Sequence, residues 1–226
     1  MVSLALTDKF KKRAATALVG IPIVLMVLFH GGWPFMALLY LLFFLSLWEW
    51  IGMTVLLPKT PFRGVMLVVG VFYLSLTLLA VAKLSLFWGP WYLFLLLIMV
   101  WVSDTAAYLT GKGIGGPKMA PTISPNKTWA GMFGAVIGPA IAGFVLTSIW
   151  PQDNDGLSGV PYLLIGACLG FTGQCGDLMI SAFKRKVGVK DTSQILPGHG
   201  GVLDRIDALL LMALVYLAVM TAFNGG

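Results

Sequence analysis

Carboxylates and basic side chains collect at a few points of a chain that is otherwise apolar. The 226 residues include only nine acids. Asp8, Asp153 and Asp155 fall in polar segments, and Glu49 stands inside an apolar run between Trp48 and Trp50. The other five are Asp104, Asp177, Asp191, Asp204 and Asp207. Asp204 and Asp207 are three residues apart and share one face of a helix. Asp191 follows Lys190 and reads equally well as one half of a surface ion pair. Asp104, Asp177 and Asp204 have small or apolar neighbours. Carboxylates that converge beside lipid need a compensating charge. A divalent cation supplies it, and an oxygen-only donor set suits Mg²⁺, which commonly arrives with a phosphate substrate.

Two stretches have the composition of phosphate-binding loops. Residues 111–128, GKGIGGPKMAPTISPNKT, hold four glycines and three lysines, with Ser124, Asn126, Lys127 and Thr128 just ahead of a predicted helix. Glycines let backbone N–H groups approach a phosphate, and a helix N-terminus favours an anion. The order of residues is not that of a Walker A loop. Alone, such a loop also fits an ordinary surface connection. Residues 184–201 add Lys184, Arg185, Lys190, His199, Gly200 and Gly201, and Arg205 follows between two aspartates. The Lys-Arg-Lys run alone fits the usual enrichment of bases on the cytoplasmic side of a membrane. His199 reads either as a phosphate donor or proton shuttle or as a structural side chain. Arg205 reads as a bidentate phosphate clamp or as a brace for its neighbouring aspartates.

The elements that must position these groups are membrane helices. The chain is 58% hydrophobic, with a mean hydropathy of +0.91. Apolar runs of about 20 residues recur along it, the length that crosses a bilayer. They predict an all-α, polytopic membrane bundle of about seven helices, at 14–29, 33–57, 62–82, 86–110, 126–150, 159–183 and 201–222. The first run has no small-residue cleavage site and is followed by more spans, so it reads as a span rather than a leader. With the N-terminus in the cytoplasm, fourteen of the fifteen Lys and Arg residues fall on the cytoplasmic side, and only Lys83 does not. The five aspartates then share that side. The net charge of +6 therefore belongs to loops between spans and points away from nucleic acid. Cys168 and Cys175, seven apart on one helix, stand about 10 Å apart in rise, too far for a disulfide. One membrane domain is expected, with N-terminal spans over 1–95 and the chemistry in 96–226.

The stretch SAFKRKVGVKDTSQILPGHGGVLDRID, residues 181–207, resembles the signature of phosphatidate cytidylyltransferases, the CDP-diacylglycerol synthases. The resemblance rests on Ser181, Lys184-Arg185, Lys190-Asp191, Pro197 to Gly201, Asp204-Arg205 and Asp207. SDTAAY at 103–108, SPNKTWAG at 124–131 and Gly176-Asp177 also resemble the family, in its order. Ala130 and Ile180 depart from it, and the chain reads as shorter than typical bacterial members at its N-terminus.

The resemblance implies a bacterial inner-membrane enzyme that converts CTP and phosphatidic acid to CDP-diacylglycerol and pyrophosphate in phospholipid biosynthesis, Mg²⁺-dependent and with its site facing the cytoplasm. It allows one or two Mg²⁺ ions, a monovalent cation beside them, and a homodimer. Asp177 and Asp204 are then expected as principal metal ligands, with Asp207 and Asp104 at a second site or behind the first. Lys184, Arg185 and His199 are expected in catalysis. Ser124, Asn126, Lys127, Thr128, Ser181, Lys190, Asp191, Gly200, Gly201 and Arg205 are expected to hold substrate. A CTP-dependent lipid kinase or a synthase acting on an ether-linked lipid phosphate are the neighbouring alternatives. A transporter would instead place its charges near mid-bilayer within repeated halves.

Overall fold

The computed structural model describes residues 18–150, 157, 159–196, 198 and 200–224. Seven helices follow one another: α1 (Leu18–His30), α2 (Gly32–Val55), α3 (Pro61–Lys83), α4 (Pro90–Gly113), α5 (Trp129–Ile149), α6 (Val160–Lys186) and α7 (Leu203–Asn224). Helices α2 to α7 are each long and apolar enough to cross a membrane, and α1 is a shorter apolar helix. The protein is an integral membrane protein with an all-α bundle. Its outer surface carries Trp33, Phe44, Phe72, Leu86, Phe133 and Leu164, the side chains that a lipid environment accepts.

Proline and glycine set most of the boundaries. Pro61, Pro90 and Pro161 occupy the first turns of α3, α4 and α6, where a missing N–H costs nothing. Gly89, at φ 95°, separates α4 from a π-helical turn at Leu84–Trp88 that extends α3. The fourth helix therefore starts at Pro90 and runs to Gly113, rather than over 86–110. The predicted start of the fifth helix at 126 is also corrected. Ser124–Thr128 is a strand, β2, paired antiparallel with β1 (Lys118–Ala120). The Thr128 hydroxyl then caps α5 by accepting the Gly131 N–H at 3.1 Å, and Pro117 O accepts from Trp129 N at 3.1 Å. The phosphate-loop candidates in this region thus lie on a short hairpin and not in a helix.

Small residues bring the last four helices together at backbone distance. On α6, Gly166 and Gly170 face α5, where a Cβ would overlap the carbonyl oxygens of Pro139 and Ala135. Gly173 and Gly176 of the same helix face Met212 and the Asp207 carbonyl of α7. Gly134 and Gly138 of α5 meet Thr110, Ala106 and Val102 of α4. Lipid tails are as apolar as leucine, so close van der Waals packing of this kind is what associates membrane helices. It also fixes the axial register of α4, α6 and α7, which carry the aspartates. Gly166→Ala is expected to destabilise the bundle by about 1–3 kcal/mol, since its new methyl meets backbone that cannot yield locally. Thermal unfolding in detergent reads this, and an unchanged midpoint would contradict the packing.

Two apolar clusters complete the interior. The larger joins Tyr92, Leu96 and Met99 of α4 with Leu169 of α6 and Met212 and Tyr216 of α7. The smaller joins Trp50 and Met53 of α2, Leu74 of α3, Phe183 of α6 and Leu203 of α7. In it the Trp50 indole stacks on Phe183 at 4.5 Å and donates to Met66 O at 2.8 Å. This braces the end of α6 that carries Lys184.

Candidate active site

The C-terminal ends of α4 and α6, the hairpin and the N-terminal ends of α5 and α7 meet at one end of the bundle. They enclose a cleft of about 680 Å³. Its wall includes Asp104, Asn126, Lys127, Thr128, Asp177, Lys184, Asp191, Asp204, Arg205 and Asp207, brought from five segments: α4, the hairpin, α6, the loop after α6, and α7. Asp104, Asp177 and Asp207 lie close enough to repel one another electrostatically.

Two lysine–aspartate pairs organise the floor. Lys127 Nζ lies 2.7 Å from Asp177 Oδ2 and donates to Gln174 Oε1 at 2.9 Å. Lys184 Nζ lies 2.6 Å from Asp204 Oδ1, and both side chains are buried. The other oxygen of each carboxylate is held by neutral donors. Asp177 Oδ1 accepts from Ser181 Oγ at 3.0 Å. Asp204 Oδ2 accepts from Thr192 N at 2.8 Å, Gly201 N at 3.0 Å and Thr192 Oγ1 at 3.0 Å. Each carboxylate therefore has one oxygen fixed in orientation and one given to a lysine. Asp207 Oδ1 accepts the Ala208 N–H at 2.9 Å, and neither Asp104 nor Asp207 has a basic partner within ion-pair distance among the described residues.

The remaining expected residues sit differently. Arg185 is exposed and donates to Ile123 O at 3.1 Å and Val189 O at 2.9 Å, tying the end of α6 to the hairpin. Ser124 pairs with Ala120 across the hairpin, and Lys190 is exposed off the cleft wall. Gly201 has its N–H on Asp204. Gly200, at φ 81°, makes the turn ahead of it. His199 lies outside the described residues.

Two residues, Gln174 and Glu49, have structural roles that their sequence positions alone did not assign. Gln174, one turn before Asp177 on the same helix face, was legible as a polar residue in an apolar span. Glu49, only 1% exposed, reaches from α2 to the start of α7. Its position inside an apolar run was visible, whereas its partners, Thr192, Ser193, Val202 and Leu203, lie far along the chain.

The carboxylates supply only oxygen donors, which suits a hard divalent cation such as Mg²⁺. As they stand, no three of the described acids, histidines or cysteines group closely enough to hold a metal ion, and Asp177 and Asp204 are each paired with a lysine.

A sequence profile of the cytidylyltransferase family matches residues 59–223, a span that includes the hairpin, both lysine–aspartate pairs and the start of α7. The chain belongs to the cytidylyltransferase family. It is 46% identical over 123 residues to a phosphatidate cytidylyltransferase of Brucella suis biovar 1, covering 54% of this chain and 44% of the relative. It is 42% identical over 126 residues to a phosphatidate cytidylyltransferase of Rickettsia bellii, covering 54% of each. The chain thus matches about half the length of these relatives. Among the described residues on the cleft wall, Lys184 and Asp204 are the buried charged groups, and Lys127 and Asp177 are half-buried.

Proposed function

We propose that the protein transfers a cytidylyl group from CTP to phosphatidic acid, giving CDP-diacylglycerol and pyrophosphate at the cytoplasmic face of a bacterial inner membrane. The observation that carries this reading is the pair of lysines held on aspartates in a cleft at the end of the membrane bundle. Family membership and the names of the similar proteins support it. The side is supported by the fourteen of fifteen bases that fall there when the N-terminus is cytoplasmic.

In this reaction a phosphomonoester oxygen of the lipid attacks the α-phosphorus of CTP. The bond from that phosphorus to the bridging oxygen breaks, and pyrophosphate leaves with the electron pair. The attacking oxygen is already anionic near neutral pH, because the second pKa of a phosphomonoester is about 6. No strong general base is required. The site's task is to bring two polyanions together and stabilise the leaving group, which is electrostatic work.

Lys127 and Lys184 are suited to it. An incoming triphosphate offers each lysine a second anionic partner. Asp177 and Asp204, with Asp207 and Asp104 beside them, would hold Mg²⁺. Bound there, the ion would neutralise phosphate charge and stabilise the pyrophosphate. Arg205, exposed on the cleft wall, clamps a phosphate from the other side, and Asn126 donates from the hairpin. Ser181 keeps Asp177 oriented while its lysine moves. The acyl chains of the lipid remain in the bilayer while the headgroup enters the cleft.

Label transfer tests the reaction class. CTP labelled at the α-phosphate is expected to label the lipid, and CTP labelled at the γ-phosphate is expected to label only pyrophosphate. The reverse pattern would make the protein a CTP-dependent lipid kinase.

A further inference from the structure

The geometry points to Glu49 as a positioning residue for this reaction, acting through Thr192 and the start of α7 on Asp204; the inference rests on the cytidylyltransferase reading above. Glu49 is on α2, outside the segment matched to the family, and does not line the cleft. It nevertheless has four hydrogen-bond donors around it, as many as Asp204, and none of them is a lysine. Oε1 accepts from Ser193 Oγ at 2.6 Å and Val202 N at 2.8 Å. Oε2 accepts from Leu203 N at 2.7 Å and Thr192 Oγ1 at 2.8 Å. Each oxygen thus takes one backbone N–H and one hydroxyl. No lysine or arginine lies within ion-pair distance among the described residues. Its charge is therefore met by the free N–H groups at the start of α7 and by the positive end of that helix.

The Thr192 hydroxyl couples Glu49 to the cleft. Its oxygen lies 2.8 Å from Glu49 Oε2 and 3.0 Å from Asp204 Oδ2. A hydroxyl has one hydrogen, so Thr192 donates to one carboxylate at a time, and the two are linked by the proton they share. Three consecutive backbone N–H groups, of Gly201, Val202 and Leu203, go to the same two carboxylates. Together these bonds fix the loop before α7 against α2. They orient the Asp204 carboxylate so that Oδ1 faces Lys184. A carboxylate buried in a membrane protein without a cationic partner points to a task. Here the task is to hold a remote loop in register with the aspartates.

Glu49→Gln keeps the shape and loses one acceptor oxygen. Its amide NH₂ must then face either the Val202 or the Leu203 N–H, donor against donor. The test uses the full-length protein in detergent, with two readouts. Hydrogen–deuterium exchange of the 192–203 backbone is expected to rise about tenfold or more, because one of the two backbone N–H groups held by Glu49 loses its acceptor. In steady-state turnover of CTP and phosphatidic acid, kcat of the folded fraction is expected to fall ~30-fold while KM for CTP stays within about threefold, as for a displaced reacting geometry. Thr192→Val is expected to reproduce the kcat loss. The double variant is expected to be little worse than the poorer single, since both act through one link.

If E49Q lowers the melting point but retains wild-type kcat per folded molecule, Glu49 is merely structural and the proposal is overturned. Unchanged exchange over 192–203 overturns it as well. If exchange rises as expected but the wild-type protein releases no pyrophosphate from these substrates, the proposed reaction fails while the anchoring of the loop stands.

Discussion

Replacement of Asp177 by Asn is expected to give a folded membrane protein whose proposed formation of CDP-diacylglycerol is ~10³-fold slower than wild type, equivalent to about 4 kcal/mol of lost transition-state stabilisation. The fold survives because the amide oxygen can still accept from Ser181, and Lys127 keeps Gln174 as a partner. Lys127 is also partly exposed, with 17% of its side-chain surface accessible, so water covers part of its charge. Activity is expected to be lost, because on the proposed reading a neutral amide at this position would hold Mg²⁺ poorly and would leave Lys127 with no anion to exchange. Asp204→Asn differs in one informative respect. Lys184 is buried and has Asp204 as its ion-pair partner, so the substitution strands a charge. Breaking a buried pair from one side costs about 3–5 kcal/mol. Asp204→Asn is therefore expected to be both inactive and less stable, and Asp177→Asn inactive with a near-normal melting point. Turnover by Asp177→Asn within tenfold of wild type would remove the ion from Asp177. Equal melting points for the two variants would contradict the buried Lys184–Asp204 pair.

The second large effect is expected from a single added methyl at Gly201. A Cβ there would overlap the Thr192 hydroxyl and lie 2.5 Å from Glu49 Oε1. Gly201 is needed for space, in contrast to Gly200, whose φ of 81° needs glycine for conformation. Gly201→Ala must displace Thr192, which holds Asp204, from Glu49, which anchors the loop. A displacement of about 1 Å in a reacting geometry costs on the order of 10² in rate. Gly201→Ala is expected to lose activity by ~10²-fold or more while the bundle, whose glycine contacts lie elsewhere, stays assembled. Activity assays paired with gel filtration in detergent read both. Full activity would show that the loop before α7 tolerates displacement and does not position the aspartates.

Much of this arrangement was legible in the sequence because a membrane restricts what a polar residue can be doing. Apolar runs marked the helices, and aspartates inside their ends marked where to look for chemistry. The strands at Lys118–Ala120 and Ser124–Thr128 were not legible. They are three and five residues long, too short for an alternating pattern, and glycine and proline around them read as loop. The pairing of Lys184 with Asp204 depends on how the loop between α6 and α7 folds back, and twenty residues separate the pair. The role of Glu49 was least accessible. Two of its four partners are backbone N–H groups, which carry no residue identity, and all four lie more than 140 positions away.

Pyrophosphate release by the purified protein in detergent tests the central claim most directly, with CTP, phosphatidic acid and Mg²⁺ present together and each omitted in turn. Release that requires all three, with CDP-diacylglycerol formed in equal amount, is the predicted result. Release that persists without the lipid, or none with all three present over a range of lipid and Mg²⁺ concentrations, would contradict it.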